Sequence, residues 1–437
     1  MEAITILLEL LFVTIFAAVL QRNYKIPTPI TLLTSVAAVC TFDFISFSIT
    51  GQMFDTLVLL TLPLLIMADA LKIDASDLKK NWFSLFWVAV VSVVLSVGIG
   101  VWIGQTIFAE YQIPVAGMVM LFCMVSATDP ITLSAIFSNF KVPHQLKFLA
   151  EGESLLNDAT ALIIFSIAGM FLASTGTVSF GAIATKSVMV IIGAITIGFI
   201  GGVLTYFTLK TSDNPLVEAS ILLLGAYSSY LAAEHFHYSG ILAVIVAMVI
   251  ANMWIKSLIQ EDDSILQNQM FRKGMGLRFV DTELLKYAAT NKENHRSILS
   301  NIEFLSMFAS TALFASMASL VNVDILFASW KEILIIFGLS TAIRAVMMLK
   351  FAVVHNNFTG SSMIRGRWWS VLTFAGSKGA LSILMVHMIP DSFVHKTLFE
   401  QIIIGNILLS TIVYGIILGI IIVMFKEKFE KECENEH

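Results

Sequence analysis

Two acidic side chains lie within strongly apolar segments near the middle of the chain, where a charge is costly. Asp129 stands between Thr128 and Pro130, and Asp158 ends a polar run that begins at Glu151. An ionisable group deep in a membrane segment usually lies on a path for ions or protons. These residues therefore predict ion or proton binding.

Further oxygen atoms are expected to converge on the two carboxylates. Ser154 precedes Asp158 by four residues, which places both on one face of a helix. Pro130 disturbs helical geometry, so the hydroxyl and backbone of Thr128 become available beside Asp129. Hard cations take carboxylate, hydroxyl and carbonyl oxygens. The predicted ion-binding residues are Thr128, Asp129, Ser154 and Asp158, with Na⁺ at Asp129 and Asp158.

A second helix interruption is predicted around Lys378, which lies between Gly376 and Gly379. Glycine weakens a helix, and a broken helix exposes N–H and C=O ends that carry partial charges. Asp129 and Lys378 are expected to neutralise such ends. Asn157 is expected to hydrogen-bond Asp129 across the gap. A simple kink with a side chain that reaches toward water is the alternative at each break.

Two other charged residues in apolar segments need partners. Glu153 and Arg344 are predicted to form a buried ion pair that holds the helices together, because each is costly alone in lipid. Asp69 is predicted either to line an access route or to cap its helix. For Asp158, the alternative to an ion ligand is a hydrogen-bonded core acid.

The composition is that of a polytopic membrane protein. Of 437 residues, 57% are hydrophobic and 13% are charged, and the mean hydropathy is +0.86, which excludes a soluble domain of this size. Apolar runs of about 20 residues predict an all-α protein of thirteen transmembrane helices. The spans are 2–20, 26–42, 52–71, 81–109, 112–138, 145–173, 178–211, 215–235, 237–256, 299–321, 329–355, 365–390 and 398–425.

The positive charges predict the orientation in a cytoplasmic (inner) membrane. With the N-terminus outside and the C-terminus inside, 21 of the 26 lysine and arginine residues fall on the inner side, as the positive-inside rule requires. The polar segments 257–298 and 426–437 then form a cytoplasmic loop and a cytoplasmic tail. The apolar composition makes the lipid bilayer the expected partner. No basic stripe stands out, so we expect no nucleic-acid partner.

The two predicted breaks fall in spans five and twelve, one in each half of the chain. With span seven as a linker, spans one to six begin outside and spans eight to thirteen begin inside. Interrupted helices in corresponding positions point to a transport site between inverted repeats. The predicted fold is two inverted six-helix repeats with discontinuous crossing helices.

Four motifs together resemble the NhaP-type sodium/proton antiporters of the cation:proton antiporter superfamily. They are Thr128-Asp129-Pro130, the run Glu151 to Asp158, the run Ser239 to Val244, and Gly379-Ala380-Leu381-Ser382. The resemblance extends over nearly the whole chain. Its most specific element is Glu-Ser-Leu-Leu-Asn-Asp at this distance after Thr-Asp-Pro.

The resemblance implies a homodimer that exchanges Na⁺ or Li⁺ for H⁺ by elevator-like alternating access, without a cofactor and without enzymatic activity. The family's ion ligands fall on Thr128, Asp129, Ser154 and Asp158, and its buried ion pair falls on Glu153 and Arg344. The Asn157-Asp158 pair implies electroneutral exchange. The implied domains are a scaffold (1–75 and 215–325), a mobile core (81–173 and 329–425) and a linker helix (178–211).

Two positions depart from the family pattern. Lys378 stands where the family has arginine, and a buried lysine can lose its proton whereas a guanidinium cannot. The family's acidic residue near the end of span three falls on Ala68, with Asp69 one position later. A K⁺/H⁺ antiporter and a sodium-coupled organic-anion carrier of similar architecture remain the alternatives.

Overall fold

The computed structural model describes residues 11–16, 19–20, 51–73, 75–128, 133, 137, 140–173, 180–212, 214–255, 297–313, 328–358, 364–390 and 392–434. Every regular element in these ranges is helical. The first half contains α1 (Gly51–Ala70), α2 (Ala75–Phe86), α3 (Ser92–Ile107), α4 (Val115–Ser126), α5 (His144–Ala173) and α6 (Phe180–Leu209). A π-helical turn, Trp87–Val91, joins α2 to α3.

The second half continues the helical pattern. It contains α7 (Pro215–His235), α8 (Gly240–Ile255), α9 (Ser297–Leu313), α10 (Trp330–Phe358), α11 (Gly366–Phe374), α12 (Ala380–His387), α13 (Lys396–Leu409), α14 (Gly415–Met424) and α15 (Lys426–Glu434). A second π-helical turn, Ser410–Tyr414, joins α13 to α14. Such turns are rare and are frequently found at functional sites.

Six helical stretches of the described chain are long and apolar enough to cross a membrane. They are Leu78–Ile107, His144–Leu172, Val188–Leu209, Pro215–His235, Trp330–Asn357 and Lys396–Met424. Large apolar side chains stay on their outer faces, as with Ile192 and Phe199 of α6, which are more than half exposed. Together with the length of these helices, such a surface fits contact with lipid. The chain is therefore a multi-pass membrane protein.

The predicted count of thirteen spans is not decided by these helices. Most of the first two predicted spans, 2–20 and 26–42, lies outside the described residues, as does most of the predicted loop 257–298. Four further apolar helices are shorter: Leu59–Ala70, Val115–Ser126, Gly240–Ile255 and Ser297–Leu313.

The described residues fall into two compact units. Unit 1 takes those within 1–59, 77–184 and 310–437, and unit 2 takes those within 60–76 and 185–309. In unit 1, α5 packs against α4 and against the first π-helical turn, while α10 packs against α3, α11 and α13. All the residues of the predicted ion site that the structure describes lie in unit 1.

Unit 2 is held by close backbone packing between α6 and α8. Gly198 and Gly202 are one turn apart on α6, and a Cβ atom at 202 would lie 2.7 Å from the carbonyl oxygen of Ala247. Small residues of this kind let membrane helices approach closely. The amide of Asn252 on α8 donates to the carbonyl oxygens of Leu71 and Ile73 at 2.8 and 3.0 Å, where the chain leaves α1.

The polar tail predicted from 426 onward contains a docked helix, α15. Phe429 on this helix is fully buried. Glu432 accepts hydrogen bonds from the guanidinium of Arg367 and, at 3.1 Å, from the indole Nε1 of Trp368. Arg365 lies 3.6 Å from the same carboxylate. The tail helix is thereby attached to the beginning of α11, the first half of the interrupted span twelve.

We expect Glu432→Ala to loosen α15 from α11. The change removes charge-assisted hydrogen bonds, worth about 1.5–3 kcal/mol when partly buried, and leaves two arginine side chains together. Hydrogen–deuterium exchange of 426–434 in detergent should rise at least several-fold. Glu434→Ala, at an exposed position of the same helix, is the control and should leave exchange unchanged. Equal exchange in the two variants would contradict the docking role of Glu432.

Candidate functional site

The helix α4 ends at Ser126, where Ala127 turns to an extended conformation with φ −59° and ψ 140°. Ending the helix there frees backbone groups that must find new partners in a buried place. The N–H of Thr128 donates to Oδ1 of Asp158 at 2.9 Å. The carbonyl oxygen of Met124, which the Thr128 N–H would meet in a continuous helix, accepts from the Ser382 hydroxyl at 2.8 Å.

Three of the four predicted ion-binding residues lie together at this break. The Thr128 hydroxyl donates to Oγ of Ser154 at 2.9 Å, and both residues are about 2% exposed or less. Asp158, one turn after Ser154 on α5, is half-buried. The cluster offers two hydroxyl oxygens and a carboxylate. Asp129, the fourth predicted residue, lies outside the described residues.

Asn157 joins α5 to the break in α4. Its Nδ2 group donates to the carbonyl oxygen of Ser126 at 2.9 Å, and lies 3.3 Å from Oε1 of Glu153 and 3.4 Å from Oγ1 of Thr128. The side chain is 2% exposed. Its amide thus fixes the extended segment beside Thr128, Ser154 and Asp158. The predicted bond to Asp129 involves a residue that the structure does not describe.

The structure pairs Glu153 with Arg344 through two parallel hydrogen bonds. Nη1 and Nη2 of Arg344 lie 2.9 and 2.7 Å from Oε1 and Oε2 of Glu153. This two-pronged geometry is the strong form of the carboxylate–guanidinium contact. The pair lies between α5 and α10, next to the cluster, and both side chains are nearly removed from solvent.

Arg344 also satisfies the broken end of α11. Its guanidinium donates to the carbonyl oxygens of Leu372 and Thr373, each at 3.0 Å, which are orphan acceptors of the last helical turn. Glycine at 376 makes room for this contact, because a Cβ atom there would lie 2.6 Å from Cζ of Arg344. One arginine therefore links Glu153 to the second interruption.

The second interruption spans residues 375–379, between α11 and α12. Lys378 within it is 5% exposed, and its backbone N–H donates to the Ser410 hydroxyl at 3.0 Å, at the second π-helical turn. Ser382, four residues after Lys378, donates to the Met124 carbonyl oxygen in the last turn of α4. The two interruptions are thus neighbours within unit 1.

A cavity of about 40 Å³ lies beside Asn157 and Lys378. It is bounded by the first π-helical turn and α3, α4, α5 and α10. Its lining residues are Val88, Ser92, Val93, Ser96, Phe122, Val125, Ser126, Glu153, Asn157, Ser340, Ile343, Arg344, Met347, Met348 and Lys378. Polar side chains line it on several sides.

Asp69, the predicted access-route or capping residue, belongs to unit 2. Its carboxylate lies 3.2 Å from Nζ of Lys72, three residues later, and the same ammonium group lies 3.8 Å from Glu303. Asp69 therefore takes part in a local charge cluster at the end of α1.

Sequence reasoning missed several contributors to the site. Ser382 is part of the motif Gly379-Ala380-Leu381-Ser382, but nothing in the sequence indicates its hydrogen bond to the Met124 carbonyl oxygen. Ser410 and Ser92 stand in apolar segments like many other membrane serines. The carbonyl groups that receive Arg344 are backbone atoms, for which a side-chain pattern gives no signal.

The chain shares sequence with known sodium/proton antiporters. It is 28% identical over 365 residues to the Na(+)/H(+) antiporter ApNhaP of Aphanothece halophytica, covering 83% of this chain and 63% of that one. It is 25% identical over 359 residues to the low-affinity Na(+)/H(+) antiporter NhaS1 of Synechocystis, covering 81% and 62%. The chain thus spans somewhat less than two thirds of these relatives' length.

The fold also matches a solved structure. The sodium proton antiporter MjNhaP1 of Methanocaldococcus jannaschii superposes with a TM-score of 0.71 at 17% identity, covering 97% of this chain and 99% of that one. This likeness shows the fold. The family model described as sodium/hydrogen exchanger, transmembrane, matches residues 10–424. The resemblance predicted from the motifs is confirmed, and the chain belongs to the sodium/hydrogen exchanger family.

Proposed function

We propose that the chain is a secondary active transporter that exchanges Na⁺, or Li⁺, for H⁺ across the membrane. The observation that carries this proposal is the cluster at the α4 break, where Thr128, Ser154 and Asp158 bring two hydroxyl oxygens and a carboxylate together. Oxygen ligands of this kind suit a hard cation. The two named antiporters above support the choice of Na⁺.

Exchange follows from competition for one carboxylate. A cation and a proton compete for Asp158, because each neutralises a negative charge that is costly within an apolar segment. The Thr128 N–H holds Oδ1 in place in both states, while the hydroxyl groups of Thr128 and Ser154 complete the cation's ligand set. Asp129, which follows Thr128, is proposed as a further ligand. If the site faces each side of the membrane in turn, one species leaves as the other enters.

The test is proton movement in proteoliposomes of purified protein. With the membrane potential clamped at zero, an inward gradient of Na⁺ or Li⁺ is expected to alkalinise the lumen, and a K⁺ gradient is the comparison. A response to K⁺ alone would replace Na⁺ by K⁺ as the substrate. Absence of proton movement with all three cations would overturn antiport and favour the sodium-coupled organic-anion carrier, with Lys378 as its cationic anchor.

The proposed stoichiometry is one cation for one proton. The amide of Asn157 adds no charge beside Asp158, whereas an acid there would add a second titrating group. We expect the exchange rate to be the same at zero and at −100 mV. A rate that rises with voltage would imply a second titrating group. Lys378→Arg, which cannot release its proton, should then abolish the voltage dependence if Lys378 is that group.

The proposed architecture is thirteen spans in two inverted repeats, with the N-terminus outside the cytoplasmic membrane and the C-terminus inside. The end of α4 at Ser126 and the interruption at 375–379, one in each half of the chain, support the repeat. The division of the described residues into two units supports a mobile core and a scaffold. A homodimer is proposed through the family; light scattering of the purified protein with its detergent mass subtracted tests it.

A further inference from the structure

The π-helical turn Trp87–Val91 changes the hydrogen bonding of the residue that follows it. The N–H of Ser92 donates to the carbonyl oxygen of Trp87, five residues back. A serine in a regular membrane helix usually donates its hydroxyl to the carbonyl four residues earlier. Here the Ser92 hydroxyl has no hydrogen-bond partner among the described residues, although the side chain is only 4% exposed.

A second unpartnered atom lies beside the same cavity. Oδ1 of Asn157 has no hydrogen-bond partner in the described part of the chain, while the Nδ2 group of the same amide donates toward the ion-binding cluster. Ser92, Asn157 and Lys378 all line the cavity of about 40 Å³. A water molecule needs roughly 10–15 Å³ by this measure, so the cavity has room for two or three.

The polar groups around the cavity fit water better than an ion. The charged residues that line it are Glu153 on α5, Arg344 on α10 and Lys378 in the α11–α12 interruption. Because Arg344 already neutralises Glu153, the positive charge of the Lys378 ammonium group is left over and repels any cation that enters the cavity. The acceptor Oδ1 of Asn157 opposes an anion. Water accepts from an ammonium or hydroxyl group and donates to an amide oxygen.

We propose that Ser92 is a positioning residue, which holds water in this cavity between Lys378 and Asn157. The proposal rests on the exchange function above. The water solvates the charged form of Lys378 and gives Oδ1 of Asn157 a donor, so that Nδ2 stays directed at Ser126 and Thr128. A hydrogen-bonded chain then joins Lys378 to the ion-binding cluster through Asn157.

Threonine and valine at position 92 provide a matched pair, since they have the same shape and differ by one hydroxyl group. We expect Ser92→Thr to keep the wild-type KM for Na⁺ in the exchange assay. Ser92→Val should raise the KM for Na⁺ by about three- to tenfold, the effect of losing one hydrogen bond, with a smaller change in the maximal rate. The reason is that Oδ1 of Asn157 loses its donor, so the amide no longer holds Nδ2 on Ser126 and Thr128 beside the proposed ion ligands.

Ser340→Ala is the control within the same cavity. The Ser340 hydroxyl donates to the carbonyl oxygen of Phe337 in its own helix at 3.0 Å, so its loss should leave the KM for Na⁺ unchanged. Equal KM values for Ser92→Thr and Ser92→Val would overturn the proposal. A shift in the KM of Ser340→Ala as large as that of Ser92→Val would also overturn it.

The melting temperature separates this proposal from the exchange function. If the cavity holds water, Ser92→Val should melt below Ser92→Thr in detergent, because the water loses a partner. In a dry cavity the extra apolar group would make Ser92→Val the more stable of the two. This comparison still decides the proposal if the wild-type protein shows no exchange in the same vesicles, a result that would count against the exchange function alone.

Discussion

We expect Asp158→Asn to abolish cation-driven proton exchange while the protein still folds. Asparagine keeps the size of the side chain and an oxygen that can accept the Thr128 N–H. It removes the negative charge and the group that takes up the proton. Two unit charges about 4 Å apart interact by about 4 kcal/mol at an effective dielectric constant of 20, so Na⁺ affinity should fall by roughly three orders of magnitude.

The matched control for this variant is Glu151→Gln, an acid-to-amide change two turns earlier on α5. Glu151 lies 3.9 Å from Lys147, four residues before it, away from the ion-binding cluster. Both variants should give the wild-type elution profile and helical content. Exchange in proteoliposomes should persist in Glu151→Gln and fall to the level of protein-free vesicles in Asp158→Asn. Wild-type exchange by Asp158→Asn would refute its assignment as the ion-binding carboxylate.

The second large effect concerns folding. Glu153→Ala and Arg344→Ala each leave a buried charge without its partner, which costs about 3–5 kcal/mol. That is a large part of the stability of most proteins. Arg344→Ala should have the larger effect, because the carbonyl groups of Leu372 and Thr373 also lose their donor. We expect a strongly reduced yield of monodisperse protein and a melting temperature lower by several degrees.

A double variant distinguishes loss of the pair from loss of packing. Replacing Glu153 by Gln and Arg344 by Met removes both charges and keeps most of the side-chain volume. Apolar or neutral replacement of a buried ion pair is often tolerated, so the double variant should melt above Arg344→Ala. Fluorescence-detected size-exclusion chromatography and thermal melting measure these differences. Normal yield and melting temperature in both single variants would refute a structural role for the pair.

The helical membrane fold was largely predictable from the sequence. Hydrophobicity and helix breaking are local properties, since apolar runs such as that in α6 and residues such as Pro130 or Gly379 act over a few positions. The break at Thr128, the interruption around Lys378 and the placement of Asp158 one turn after Ser154 follow from such local rules. The sequence alone therefore determined that the chain is a helical membrane protein, where α4 ends, where the segment around Lys378 is interrupted, and which carboxylate lies beside the end of α4.

Only the tertiary structure decided which groups meet across the helices. From the sequence, Arg344 could pair with either Glu151 or Glu153 on α5. The packing of α10 places Arg344 beside Glu153, while Glu151 lies near Lys147. The carbonyl oxygen of Met124, which is free because α4 ends, accepts a hydrogen bond from Ser382, more than 250 residues later in the sequence. Such pairings depend on how whole helices pack, and no short window of sequence contains that information.

The π-helical turn before Ser92 shows the same limit within one helix. The segment Trp87–Val91 consists of apolar residues that fit a regular α-helix equally well, so nothing local predicts the additional residue in the turn. The extra residue changes the face on which the following residues lie, and Ser92 lines the cavity. The local sequence determines where the proposed ion-binding acid, Asp158, lies on its helix. The packing of whole helices determines which groups surround it, because the close-packed interior forms only when the chain is folded.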